Sequence, residues 1–281
     1  MISEPLLPVE VRALFPAGQA DNRTLSVPLP PGRNIVSDEG NGEALALWLS
    51  DGPASAELWT RLLAEHHRSR LWPLLLDALD PQDDAFRPWV SGELYPENMS
   101  SPDIHDPAAI LAGWWTDNTT VKESLALPEP FGQNGPGTAP KSDRQADADR
   151  LAAEYAQMLT SRHPHMRLGL VAAGSGADAL TVAGWDGPSH YDTDTAKYSA
   201  VVRDWERRFG ARVVAAGFDT LALSVATPPT NPDDALHTAA EHFVFCPDNV
   251  WPYPGRGAHP HTLASYAERL IDTHDWDFYW D

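Results

Sequence analysis

The chain has 281 residues, with forty Asp and Glu against twenty Lys and Arg, a formal charge of −20 at pH 7, 42% hydrophobic residues and 26 prolines. This describes a folded chain with stiffened loops. The charge makes nucleic acid and anionic membranes poor partners, since both are gripped by clustered cations. No apolar run approaches the roughly 18 residues that span a bilayer. The opening MISEPLLPVEVRALF lacks the basic and apolar regions of a secretory signal, so a cytoplasmic location is expected. A single cysteine excludes an internal disulfide.

In chain order, TLSVPL (24–29) and ALALWL (44–49) read as strands, and ASAELWTRLLAEHHRSR (54–70) reads as a helix. The apolar LWPLLLDAL (71–79) holds Pro73, expected to kink a continuing helix or to open a new one. Residues 80–106 read as a loop, with Trp89, Trp114 and Trp115 pinning loops to the core. LPEPFGQNGPGTAPKS reads as a linker. The expected organisation is an N-terminal α+β region over 1–126, a Pro/Gly-rich linker over 127–143 and an α+β domain over 144–281.

Ser142 and Gln145 form a capping-box pattern before a helix with Leu151, Tyr155, Met158 and Leu159 on one stripe. MRLGLVAA (166–173) is a strand, and GADALTVAGW begins with a short helix. KYSAVVRDWERRF is a helix closed by Gly210, followed by a strand. DTLALSVA (219–226) is another strand. A helix over about 232–242 has Pro232 at its first position and Asp233 and Asp234 at its positive end. FVF then reads as a short buried strand and CPDN as a turn, followed by the helix HTLASYAERLID (261–272) and a last strand, DWDFYWD. The alternation of helices and strands with hairpin-like neighbours predicts an α+β fold, a mixed sheet flanked by helices.

Several groupings carry candidate chemistry. HTAAEHFVFCPDNV holds Glu241, His242, Cys246 and Asp248. As a reaction centre, Cys246 would be the nucleophile and His242 its base. As framework, Phe243 and Phe245 are core, Cys246 is a small buried hydrophobe and Asp248 or Asn249 closes a turn. His237, Glu241 and Cys246 would converge on a metal only if the chain reversed there, and the framework reading is preferred. HPH recurs at 163–165 and 259–261, and proline aims both imidazoles of a pair the same way. A zinc site from both pairs is the chemical reading, and ordinary loop histidines the structural one; no metal or cofactor is expected. AAGSGADAL (172–180) has the outline of a phosphate cradle but lacks the third glycine of the dinucleotide motif. In WERRFG, Trp205 and Phe209 share a core face, and Glu206 is placed to pair with Arg203. An arginine held against Glu241 or Asp248 would be the informative case. In the terminal strand Trp276, Phe278 and Trp280 take one face, and Asp275, Asp277, Tyr279 and Asp281 the other, an acid row suited to a basic partner.

The runs SAVVRDWERRFGARVVAAGFDTLALSVATPP, AAEHFVFCPDNV, YAERL and DWDFYWD resemble the DUF4253 family of bacterial proteins of unknown function. The specific resemblance covers about residues 168–281. LPPGR and LWPLLLDAL resemble the upstream part of longer actinobacterial members. The resemblance implies no established activity, only an association with genes for toxins and immunity proteins. The reading that follows is an acidic cytoplasmic protein-binding module, an immunity-type factor that binds a basic protein. The alternative is a hydrolase or transferase using Glu241, His242, Cys246 and Asp248.

Overall fold

The computed structural model describes residues 5–38, 44–120, 129–132, 135–250 and 262–281. In chain order the elements are α1 (Val9–Arg12), β1 (Gly32–Val36), β2 (Leu45–Pro53), α2 (Ala56–Ser69), β3 (Leu71–Leu76), α3 (Pro107–Thr120), α4 (Ala148–Arg162) and β4 (Arg167–Ala172). Then come α5 (Gly176–Ala183), α6 (Thr195–Phe209), β5 (Ala211–Ala216), β6 (Thr220–Val225), α7 (Pro232–Phe245), α8 (Leu263–Leu270) and β7 (Asp275–Tyr279). The strands form one mixed sheet in the order β1-β2-β4-β3-β5-β6-β7, antiparallel except where β3 meets β5. The fold is α+β, and strands of the two expected regions share this sheet, with β3 lying between β4 and β5.

Strand alternation fixes the two helical layers. Trp276 and Phe278 point to α6 and α7, where Trp205 stacks on Phe278 with centroids 5.6 Å apart and His242 meets Trp276 at 4.4 Å. Asp277, between them, points the other way and accepts a hydrogen bond from Tyr155 on α4. All six side chains of β3 are buried, as expected of a strand covered on both faces. Among the described residues, no helix is long and apolar enough to cross a membrane.

Local chemistry sets the element ends. Ser55, Asp147, Ser175, Asp194, Asn231 and Thr262 cap the N-termini of α2, α4, α5, α6, α7 and α8 with side-chain oxygens. Gly210 closes α6 at φ 62°, a left-handed conformation that suits glycine, as the sequence predicts. On the outer edge of β7, the Asn249 amide donates to the Asp277 carbonyl at 2.8 Å and its oxygen accepts from the Tyr279 amide at 3.3 Å. One side chain thus occupies part of an edge that a foreign strand could otherwise pair with.

Four expectations about local structure are corrected, and one helix was not anticipated. Residues 24–29 are no strand: Thr24 makes an isolated bridge to Leu6, and Pro28 and Pro30 supply no amide donors. LWPLLL is strand β3, not helix. Its ladder to β5 begins only at Leu75 and Ala215, so the same register places Pro73 opposite Val213. The carbonyls of these two residues instead receive indole N–H groups, from Trp59 at 3.1 Å and Trp72 at 3.0 Å. The α4 cap is Asp147, while Ser142 bonds the Arg144 amide in a local turn. Phe243–Phe245 is the last turn of α7, and residues 247–249 form a short 3₁₀ turn. Helix α3, unread in the sequence, is apolar on every side over Pro107–Trp115 and polar in its last turn, and is capped by Asp106, whose carboxylate accepts from the Ala108 amide at 2.9 Å.

Candidate functional site

The carboxyl ends of β3 and β5, the sheet's parallel neighbours, open at the edge where β7 also ends, since Tyr279 pairs with Thr220. Crevices beyond the carboxyl ends of parallel strands are where open sheets place ligand sites. Here the loop after β3 exposes Asp80, Asp83 and Asp84. Beside it a cleft of about 280 Å³ is lined by Glu93, Tyr95, Asp186, His190, Asp219 and Asp281, with Phe218 and Trp280 as apolar walls.

The cleft is held by specific bonds. Trp185 donates to the Gly217 carbonyl at 2.8 Å, and Trp89 donates to the Asp77 carbonyl at 2.5 Å. Arg87 clamps Glu93 with two bonds of 2.6 Å and lies over the Phe218 ring, so Glu93 is already neutralised. Asp186 differs: its Oδ1 is buried and has no hydrogen-bond partner among the described residues. Burial pushes its carboxyl up to about 6, against a weaker opposing pull from His190. At neutral pH this is an anion short of a cation.

On the sheet face under α4 lies a second hollow, a groove of about 260 Å³. Its floor includes Ala215, Ala216 and Ala222. Asp77 and His163 stand toward one end, Asp277 and Tyr279 toward the other. Loss of solvation, reinforced by Asp275, raises the Asp277 carboxyl above the usual range, opposed by the hydrogen bond it accepts from Tyr155. The acid row is therefore divided. Asp277 faces the groove, Asp281 lines the cleft and Asp275 opens beside Arg269. Asp77, His163 and His165 gather their donor atoms within 4.8 Å of one another. The other histidine pair, His259 and His261, lies outside the described residues.

Residues 241–248 point in different directions. Glu241 is buried and accepts from the Ala139 amide at 2.5 Å, the Trp205 indole at 2.6 Å and Arg208 at 2.7 Å. Arg208 also bonds Asp204 and the Ala139 carbonyl, so this network ties α6 and α7 to the segment before α4. His242 is fully buried among Trp205, Tyr266, Trp276 and Phe278, its Nδ1 3.0 Å from the Tyr266 hydroxyl. Burial, aided by Arg208, lowers its imidazole to about 3, so it is neutral. Cys246 is sealed from solvent, donates to the Tyr279 carbonyl at 3.0 Å and has its thiol pushed up by burial. Asp248 accepts from the Tyr191 hydroxyl at 2.9 Å and from the Asp281 amide at 3.1 Å, clamping the chain end to the rim of the cleft. His237 contacts the Asp233 carbonyl and the edge of Phe131, away from Cys246.

At 172–180, Ser175 caps α5 and the Ala177 amide already bonds the Glu206 carboxylate at 3.2 Å, so an acid covers this helix N-terminus. Arg203 serves Asp178 and Asp103 instead of Glu206. Burial raises Glu206 to about 7, opposed by the Ala177 amide.

Comparison with known families gives one match. The model of the family described as "Domain of unknown function (DUF4253)" matches residues 167–281. Residues 167–281 are a DUF4253 domain. No curated protein and no solved structure matches the chain. The DUF4253 domain begins with β4 and contains Asp186, His190, Asp219 and Asp281 of the cleft. Residues before it complete the structure: β3 inserts between the domain's β4 and β5, and Glu93 and Tyr95 supply the remaining wall of the cleft.

Proposed function

We propose that this chain is an acidic protein-binding module whose cleft receives a cationic side chain from a basic partner protein. Asp186 carries the reading, as a carboxylate oxygen buried in an acid-lined cleft without a partner of its own. Burying an unpaired anion is costly, and a guanidinium or ammonium group placed beside it would recover that cost. The charge balance supports the same direction. Several cations are already spent on internal pairs, such as Arg87 with Glu93, Lys197 with Asp192, Arg208 with Asp204 and Glu241, and Arg212 with Asp149. The surplus acids face outward. Phe218 and Trp280 would flank the stem of the incoming side chain. An immunity-type factor that neutralises a basic protein in the cytoplasm is the specific form suggested by the family resemblance. The enzyme reading at 241–248 is the weaker one, because Glu241 is spent on Arg208, the Cys246 thiol is sealed and protonated, Asp248 holds Tyr191, and His242 reaches Cys246 only through Tyr266 and Asn249.

The test uses a capped Gly-Arg-Gly peptide and its citrulline twin, which keeps the shape and loses the charge. NMR titration should shift Trp280, Phe218 and residues 186–190 with the arginine peptide alone. Equal shifts with citrulline, or shifts elsewhere, would reject the cleft as a cation receptor.

A further inference from the structure

We propose that Asp77, His163 and His165 form a binding site for a divalent transition-metal ion of the zinc class, with a coordination position open to the groove under α4. Three features of the structure carry this, independently of the cleft at Asp186.

The first is the donor set. Two imidazole nitrogens and one carboxylate oxygen are the ligand types of zinc sites that hold the ion with three protein groups and leave a fourth position free. The same set also suits other first-row divalent ions. The second is the geometry. His165 Nε2 lies 2.7 Å from Asp77 Oδ1, and His163 Nδ1 lies 4.0 Å from Asp77 Oδ2. Ligand atoms about 2.0–2.2 Å from a tetrahedral ion stand roughly 3.3 Å apart. These separations are to the two different oxygens of one carboxylate, and one donor atom from each residue lies within 4.8 Å of the others, so side-chain rotations would admit the ion. The third is the support beneath the ligands. Asp77 is fixed by its amide, which donates to the Ala216 carbonyl at 3.0 Å, and by its carbonyl, which accepts from Trp89. His163 ends α4, its amide bonded to the Leu159 carbonyl at 2.7 Å, and its carbonyl accepts from the Met166 amide at 3.1 Å, so a closed turn, not an extended segment, carries His165 back beside it. The imidazoles stand 5.9 Å apart, nearly perpendicular.

The three ligands come from the end of β3 and from the α4–β4 connection, so an ion here would staple adjacent strands. Each ligand side chain is partly solvent-exposed, between 24% and 44%, which leaves a route of entry. Asp77 and His163 also line the groove, so the open position would face a space of about 260 Å³ bounded by Asp277 and Tyr279.

Zinc chloride titrated into the chelator-treated full chain by calorimetry should show one saturable site, and the folded chain should melt at a higher temperature with zinc. Cobalt(II) loading should give visible ligand-field bands. His163→Ala and His165→Ala, at partly exposed positions, should each weaken zinc binding by more than the roughly 10–100-fold that loss of a mere supporting partner costs. Asp77→Asn serves as the conservative third variant, and circular dichroism confirms that each is folded. The proposal is overturned if folded wild-type chain takes up no stoichiometric zinc. It is equally overturned if the histidine variants bind zinc like wild type.

Discussion

Replacing Glu241 by alanine should destabilise the protein by about 3–4 kcal/mol. Its carboxylate is 2% exposed and accepts three hydrogen bonds, from Ala139, Trp205 and Arg208. The substitution orphans an amide and an indole N–H in the interior, each costing on the order of 1–3 kcal/mol if nothing replaces the bond. It also strips a guanidinium that is only 10% exposed of one of its two carboxylates. Breaking a buried ion pair by removing one partner costs about 3–5 kcal/mol. Asp204 still holds Arg208 at 2.5 Å and Ala139 still accepts from it at 2.8 Å, so most of the ion-pair cost falls away and the two orphaned donors carry most of the 3–4 kcal/mol. Glu241→Gln should recover part of the loss, because its amide can turn its oxygen to Trp205 and Arg208 and leave its nitrogen against the Ala139 amide alone. Urea melts followed by tryptophan fluorescence measure the change. A double cycle with Arg208→Met should show coupling well above 0.5 kcal/mol, the size expected of residues in one network. A Glu241→Ala variant within 1 kcal/mol of wild type would refute the reasoning, since the network would then hold nothing together.

Two further outcomes concern the same segment. His242 is held neutral with its imidazole lowered to about 3, so the stability it protects is present above its unfolded value near 6.5 and is lost as pH falls toward 3. At 1.36 kcal/mol per unit this is on the order of 5 kcal/mol, and His242→Leu should flatten the stability–pH curve over that window. An unchanged slope would show that acid unfolding has another source. Cys246 should resist iodoacetamide at neutral pH in the native state and react only at the rate of unfolding, because the thiolate is suppressed and the sulfur sealed. Rapid native labelling would contradict the packing around Phe245 and Tyr279.

The DUF4253 half was the more legible part of the chain. Residues 195–225 declared themselves because an amphipathic helix, a left-handed glycine and two short β-branched runs agree with one another. Strand β3 was misread because Pro73 argues against a central strand, and its remedy, the indoles of Trp59 and Trp72, is visible only in three dimensions. FVF was misread because a short apolar run has no period by which to tell a strand from a helix end. Helix α3 escaped because its apolar residues are bunched in Pro107–Trp115 and its polar ones follow, so no face repeats at helical spacing. An arginine against Glu241 or Asp248 was the informative case in the sequence; the structure puts Arg208 on Glu241, with indole and amide partners that the sequence did not reveal. The HPH at 163–165 was legible as a histidine pair, but Asp77 joins it from 88 residues away and nothing local marked that partner. Asp186 carries no motif at all; only its burial without a partner marks it.

The decisive measurement is the affinity of the arginine peptide as a function of pH for wild type and Asp186→Asn. The carboxyl of Asp186 titrates near 6 in the free protein, so wild-type binding should strengthen as pH rises through 6 and then level off. Losing a charge-assisted hydrogen bond worth about 1.5–3 kcal/mol should weaken Asp186→Asn by roughly 10–150-fold and remove the pH dependence. The same variant should melt at a higher temperature than wild type at pH 7, being relieved of a half-buried anion whose Oδ1 has no partner among the described residues. An Asp186→Asn protein that binds the peptide as tightly as wild type, with the same pH profile, would contradict the account.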